Sequence, residues 1–244
     1  GELYAPLGLG QRVLIKAPPR SGKSALLGQL TRALVKHHPA AEVTLVAIDV
    51  RPEDAPELGR GLGAHVAVST LGEPAARHVQ LVEMLVERGK RAAERGGHAI
   101  VVIDSLGRLA RAWNLVVPAS GRTLIGALDA AAITRVRRLW ACARQLEGGG
   151  SLTLIATLTT ESGQRIDEVL ADDLAETASA EWVLAKGGSA EAPRFDVAAT
   201  FSRQAEALVD DPAAWRRAAG APLERVTAAA ATAGDLPSLI AALA

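Results

Sequence analysis

Residues 17–24 read Ala-Pro-Pro-Arg-Ser-Gly-Lys-Ser, between the apolar run Val13-Leu14-Ile15 and the helix-like Ala25-Leu26-Leu27-Gly28-Gln29-Leu30. A Gly-Lys-Ser turn in that setting constrains the fold more than any other feature, because it makes strand, turn and helix consecutive parts of one unit. The turn's backbone N–H groups and the positive end of the helix converge on one anion site, where Gly22 lets the main chain approach closely. Pro18, Pro19, Arg20, Ser21, Gly22, Lys23 and Ser24 are thus the candidate nucleotide-binding set, with Lys23 neutralising the β- and γ-phosphates and Ser24 holding Mg²⁺. The general pattern opens with glycine where this chain has Ala17, so it is met in part. The alternative, a chance Gly-Lys-Ser in a surface turn, is disfavoured by the flanking strand and helix.

The rest of the chain continues the same alternation. Apolar runs at 12–16, 43–49, 65–69, 99–104 and 152–157 alternate with helix-period segments at about 23–36, 74–95 and 130–147. That is the signature of a parallel sheet covered on both faces. Shorter strands are expected at 179–185 and 195–202 as antiparallel additions to the sheet edge. The Ala-rich tail at 212–244 is expected to form short packing helices, broken at Pro222 and Pro237. With 244 residues the chain can bury a core without staples, and we read it as one domain over 1–244. The single cysteine, Cys142, excludes an internal disulfide and suggests a packed thiol in a reducing compartment. Lys+Arg and Asp+Glu each total 27, so there is no global basic field to draw in nucleic acid. No apolar run approaches a membrane span and residues 1–10 do not resemble a signal peptide, so the expectation is a cytoplasmic protein without a membrane partner.

A second chemical element is Ile100-Val101-Val102-Ile103-Asp104-Ser105, an apolar strand ending in a carboxylate. Beside a phosphate loop, such an aspartate fixes Mg²⁺ directly or through Ser24 and water. Alone the pattern is common; paired with the loop it is informative.

These residues lie in longer blocks that carry a family resemblance. Residues 17–24, Glu73-Pro-Ala-Ala-Arg-His-Val-Gln80, Asp104-Ser-Leu-Gly-Arg-Leu-Ala-Arg-Ala-Trp-Asn114, Val117-Pro-Ala-Ser-Gly121 and Gly149-Gly-Ser-Leu-Thr153 resemble the ATPase domain of the Rho family of bacterial transcription termination factors, over about residues 6–208. The resemblance implies an α/β, RecA-like P-loop NTPase with a mainly parallel sheet, flanking helices and short antiparallel edge strands. It also implies a hexameric RNA translocase that uses ATP and Mg²⁺.

Position by position, the resemblance assigns Arg20 and Lys23 to the nucleotide phosphates, Ser24 and Asp104 to the metal, and Arg108 to the inter-subunit side of the site. Arg51 joins Lys23 and Arg203 as a catalytic candidate. Residues 123–129, with Gly126 and Asp129, and residues 163–168, with Arg165 in place of a lysine, fall on two loops facing a central channel and are the RNA-binding candidates. Arg203, in Phe201-Ser-Arg-Gln204, resembles an arginine finger reaching a neighbour's γ-phosphate, with a one-residue gap in the spacing. The alternative for Arg203 is a solvated arginine opening a helix. A finger contributes ~10³–10⁵ in rate.

Departures from the family pattern bear on activity. The family strand ends Ile-Asp-Glu-Arg-Pro-Glu, whereas this one reads Ile48-Asp49-Val50-Arg51-Pro52-Glu53, so Val50 replaces the glutamate that polarises the attacking water. A side chain without a proton acceptor forfeits a general-base contribution of ~10²–10⁴. Glu53 and Asp54 are substitutes close in sequence. The family's oligonucleotide-binding barrel has no counterpart within these residues. The channel loops are diluted to Gly126-Ala127 and Leu174-Ala-Glu-Thr-Ala178, and Glu176 reduces phosphate attraction.

Among other polar residues, His37-His38 is expected to close a helix, His78 to pack, and Arg135, Arg137 and Arg138 to form a solvated face or subunit contact. Asp167-Glu168 and Asp172-Asp173 read as surface carboxylates. Three functional readings remain open: a Rho-like motor domain forming a head-to-tail ring or spiral on RNA with reduced hydrolysis, a Rho paralogue that binds ATP or ADP without turnover, and an unrelated P-loop enzyme such as a small-molecule kinase.

Overall fold

The computed structural model describes residues 3–123, 128–187, 193–221, 225–226, 229 and 236–243. In chain order the elements are β1 (Arg12–Ala17), α1 (Lys23–His37), β2 (Ala41–Val50), α2 (Ala55–Leu58), β3 (His65–Thr70), α3 (Ala75–Glu94), β4 (His98–Asp104), α4 (Leu106–Val116), α5 (Ala130–Trp140), β5 (Arg144–Gln145), β6 (Ser151–Thr159), α6 (Arg165–Ala175), β7 (Ala180–Val183), β8 (Phe201–Ser202), α7 (Pro212–Ala219) and α8 (Leu236–Leu243). The sheet order is β3-β2-β4-β6-β1-β7-β8, with β5 added beside β6. Pairing is parallel from β3 through β7, and antiparallel only for β5 with β6 and β8 with β7.

Strand side chains alternate between two buried faces, which explains why the central strands read as unbroken apolar runs. Val13, Ile15, Val43, Leu45, Ile100, Val102 and Ile155 face one way, onto Leu26, Leu27, Leu30 and Leu34 of α1. Leu14, Val46, Ile48, Val101, Ile103, Leu154 and Ala156 face the other way, onto α3 to α6. Consecutive parallel strands carry their C-terminal ends to one edge, and that edge is where loop 18–22 and Asp104 meet.

Several boundaries differ from expectation. The helix expected over 130–147 stops at Trp140. A tight turn, with the Leu146 N–H donating to Gly150 O at 2.8 Å and Gly149 at φ 91, folds the chain back so that Arg144–Gln145 pairs with the start of β6. Residues 179–185 contribute β7, which is parallel to β1, because α6 carries the chain back across the sheet in a crossover. Only Phe201–Ser202 of the strand expected at 195–202 pairs continuously. Upstream, Asp196 turns the chain locally, its Oδ1 accepting from Ala199 N at 3.2 Å and its carbonyl from Thr200 N at 3.1 Å. Pro237 is not a break: it is the second residue of α8, where a missing N–H interrupts no helical bond. Cys142 is half-buried rather than fully packed, its thiol 3.3 Å from Arg138 O.

A smaller cluster joins the two ends of the chain. Leu3 packs with Ala214, Ala218, Val226 and Leu243. The indoles of Trp215 and Trp182 donate to Leu3 O at 2.8 Å and Ala5 O at 3.0 Å, so the first described residues are held down by the C-terminal half.

Candidate nucleotide site

Loop 18–22 takes its shape from local chemistry. Ser21 is buried and donates Oγ to Pro18 O at 2.8 Å, closing the turn on itself. Arg20 at φ 60 and Gly22 at φ 84 turn the chain through the left-handed region. Gly22 caps α1 without any side-chain partner, and the first turn holds no acid, so the helix presents N–H groups and a positive end unopposed. Ser24 is exposed on that first turn.

Lys23 and Asp104 meet across the sheet edge. Lys23 Nζ lies 2.9 Å from Asp104 Oδ1, and Thr157 Oγ1 donates to the same oxygen at 2.7 Å from β6. Burial pushes the Asp104 carboxyl up, but the Lys23 ammonium, its hydrogen bond, the Thr157 hydroxyl and Arg108 outweigh burial and hold it below the ordinary range. Asp104 is therefore an ionised, buried acceptor. With the Ser24 hydroxyl it is a hard-oxygen donor pair suited to Mg²⁺, which takes one or two protein oxygens and keeps waters and phosphate oxygens for the rest. Among the described residues, no cluster of three or more His, Cys, Asp or Glu forms another metal site.

A cleft of about 930 Å³ opens beside this pair, lined among others by Arg20, Lys23, Ser24, Asp104, Arg108 and Val50. A second hollow of about 510 Å³ follows the loop and reaches Thr159. Pro18, Pro19, Arg20, Ser21, Gly22, Lys23 and Ser24 all border it. Arg108 lies in this chain's own cleft, donating Nη1 to Ile48 O at 3.1 Å. Arg51 is exposed on the rim. Val50 is buried at 6% exposure, paired with Thr70 of β3, and offers the cleft only carbon.

The remaining candidates lie apart from the cleft. Arg203 sits at the opposite end of the sheet: its N–H bonds Ser179 O at 2.9 Å, just before β7, and β7 starts level with the start of β1. Its guanidinium donates to Ala178 O at 2.8 Å and Glu176 O at 2.7 Å, tying β8 to the end of α6. Arg165 is exposed as the first residue of α6. Gly126 lies outside the described residues. Asp129 caps α5, its two oxygens accepting from Ser120 N and Ala131 N at 2.7 Å each, and the Ser120 hydroxyl first, then these N–H groups, hold its carboxyl below the ordinary range.

Residues set aside in the sequence also find their places. Asp167 is a correction: it is not a surface carboxylate but 3% exposed, bound by Arg111 Nη1 at 3.2 Å and Ser162 Oγ at 3.0 Å, because Gly107 leaves room for it against α4. Asp173 pairs with Arg137, Nε to Oδ2 at 2.6 Å. His78 is buried with Nδ1 2.7 Å from Ser69 Oγ, and His38 closes α1 by donating its N–H to Leu34 O. Thr157 and Asp49 carry no role in the sequence reading, yet the fold brings both to this site. β6 carries four hydroxyl residues, Ser151, Thr153, Thr157 and Thr159, so no local signal distinguishes Thr157.

Comparison with known proteins gives this geometry a context. Residues 2–202 match the ATP synthase alpha/beta family, nucleotide-binding domain. The chain is 39% identical over 211 residues to transcription termination factor Rho 1 of Ehrlichia chaffeensis, covering 86% of this chain and 50% of that protein. It is 43% identical over 180 residues to transcription termination factor Rho of Chromobacterium violaceum, covering 74% and 43%. The chain thus spans about half the length of the curated relatives it matches. A solved ATPase from the type III secretion system of pathogenic bacteria superposes with a TM-score of 0.75 at 23% identity, over 91% of this chain and 66% of that one, which is a likeness of fold. Among the described residues, no helix is long and apolar enough to cross a membrane.

Proposed function

The chain belongs to the ATP synthase alpha/beta family by its nucleotide-binding domain, and from that premise we propose that it is the ATP-binding motor domain of a Rho-like transcription termination factor. The contact of Lys23 with Asp104 at the end of the loop carries the reading, because it brings a phosphate-neutralising cation and a metal-holding carboxylate to one point. On nucleotide binding the pair separates: Lys23 turns to the β- and γ-phosphates, and Asp104 with Ser24 holds Mg²⁺. The ion, when bound, neutralises charge on the phosphate oxygens. Arg20 faces the phosphates from the loop, and Arg51 and Arg108 line the cleft around them.

Assembly on this reading is head to tail, since Arg203 and loop 18–22 lie at opposite ends of one domain, and a heterologous interface closes into a ring or grows as a spiral. Reaching a neighbour's nucleotide requires the Arg203 guanidinium to leave the carbonyls of Ala178 and Glu176. Analytical ultracentrifugation is expected to show nucleotide-promoted oligomers. A monomer at high concentration, with a nonhydrolysable ATP analogue present, would count against it.

RNA is the proposed track, touched by Arg165 and the 123–129 loop with Gly126 and Asp129. The resemblance to Rho supports this, and so does the exposure of Arg165. Val50 favours a second reading, a paralogue that binds nucleotide to hold an assembly and turns it over slowly or not at all. Steady-state ATP turnover with and without poly-pyrimidine RNA separates the two: RNA-stimulated hydrolysis supports the motor, and saturable binding without turnover supports the paralogue.

A further inference from the structure

We propose that Asp49 is the carboxylate that orients and deprotonates the attacking water in this chain, in place of the glutamate whose position Val50 occupies. The proposal rests on the reading of the cleft as an ATP-hydrolysing site.

The argument begins with the end of β2. Ala47 is level with Asp104 in the β2–β4 register, so Asp49 lies two residues, or roughly 7 Å, beyond the candidate metal ligand along the strand. At this point the pairing of β2 with β3 breaks step: Ala47 pairs with Val68, but the next pair is Val50 with Thr70, three residues against two. The extra residue is absorbed by Asp49, whose φ of 53 lies in the left-handed region that side chains other than glycine rarely adopt. Bulges of this kind re-aim a side chain.

The turn is pinned on both sides. Ile48 O accepts from Arg108 Nη1 at 3.1 Å, and Val50 O accepts from Leu71 N at 2.9 Å. Strain held between two fixed carbonyls persists because its surroundings determine it. Asp49 is half-buried and lines the same cleft as Lys23, Ser24 and Asp104, and among the described residues its carboxylate has no hydrogen-bond or ion-pair partner. The other acids nearby are worse placed. Glu57 is paired with Arg60 at 3.0 Å, Glu53 is exposed and does not line the cleft, and Asp54 is exposed four residues past Val50. Val50 itself is packed against the sheet edge and cannot accept a proton.

The step balances without a further reactant. The water oxygen bonds the γ-phosphorus while the bond from phosphorus to the β,γ-bridging oxygen breaks, its electron pair staying on ADP. The water's proton passes to the Asp49 carboxylate and from there to solvent.

Asp49→Asn and Asp49→Gly test the assignment, because both residues accept a left-handed φ at least as readily as aspartate. A role in shaping the bulge is therefore preserved in both, and a role in proton acceptance is lost in both. In the 244-residue protein, with poly-pyrimidine RNA, single-turnover hydrolysis of γ-labelled ATP is expected to fall roughly 10²-fold in each variant. Melting temperature and the affinity for a fluorescent ATP analogue are expected to stay at wild-type values. Asp54→Asn, the control, keeps wild-type turnover. Turnover retained in Asp49→Asn or Asp49→Gly overturns the assignment, as does its loss in Asp54→Asn alone. A wild type that binds the analogue but never hydrolyses ATP overturns this assignment while leaving nucleotide binding intact; a wild type that binds no nucleotide overturns both.

Discussion

Lys23→Ala is expected to reduce affinity for ATP and ADP by ~10–10²-fold, read as a weakened saturable binding of a fluorescent analogue. The amine is half-buried at the helix start and, on the proposed reading, is with Arg20 one of the loop's charged contacts to the phosphates. A hydrogen bond to a charged group is worth ~1.5–3 kcal/mol, and ~1.4 kcal/mol corresponds to a factor of ten. The variant has a second effect, because Asp104 is 6% exposed and loses its cation. Removing one partner of a buried pair costs ~3–5 kcal/mol, so a fall in binding could be blamed on a fall in folding. The double variant Lys23→Ala/Asp104→Asn separates the two. It removes the stranded charge and is expected to recover most of the melting temperature while binding stays weakened. Wild-type affinity in a folded Lys23→Ala protein would remove the loop from the mechanism.

The same pair sets an acid limit. Asp104 is held below its ordinary range in the folded chain, so its contribution to stability is complete above the unfolded value, near pH ~4, and is lost as pH falls through the lowered folded value. Thermal melts between neutral and acid pH are expected to show the wild type losing its advantage over the double variant in that window. A constant difference down to strong acid would mean the carboxylate is not ionised as the geometry requires.

How much of this was legible in the sequence depends on whether a residue's role is local. The loop, α1 and the strands of the central sheet were readable because hydrophobic period and turn chemistry act within a few residues. Helices α4 and α6 were not singled out: α4 carries Gly107 and three polar residues among its apolar ones, and α6 is crowded with acids. Asp167 shows the difficulty most directly. In the sequence it is one acid beside another, and only the fold brings Arg111 from α4 to neutralise it. Asp49 is a different failure, since its residue type was in view and its backbone conformation was not. A left-handed φ follows from a mismatch between two strand pairings, and no local pattern encodes that.

Adding Val50→Glu to the Asp49→Asn variant is expected to raise ATP turnover by ~10²–10⁴ without tightening nucleotide binding much. The loop, Asp104 and the arginines lining the cleft are all in place, so on the proposed reading the site binds ATP and neutralises charge developing on the γ-phosphate. With Asp49 replaced, general-base assistance is what the site lacks, and that assistance is worth ~3–5 kcal/mol of barrier at ~1.4 kcal/mol per decade. The gain falls on turnover rather than affinity because the restored carboxylate acts mainly on the transition state. Burial opposes it: Val50 is 6% exposed, so the longer glutamate must reach out into the cleft to stay ionised, and some loss of melting temperature is expected. The comparison is ATP turnover by Asp49→Asn, Asp49→Asn/Val50→Glu and Asp49→Asn/Val50→Gln, with poly-pyrimidine RNA present and absent. Gln has nearly the shape of Glu but accepts no proton at neutral pH, so a gain confined to Glu identifies a base. Equal gains would mean that filling the cleft mattered, and no gain from glutamate would mean that a carboxylate at position 50 does not reach the attacking water.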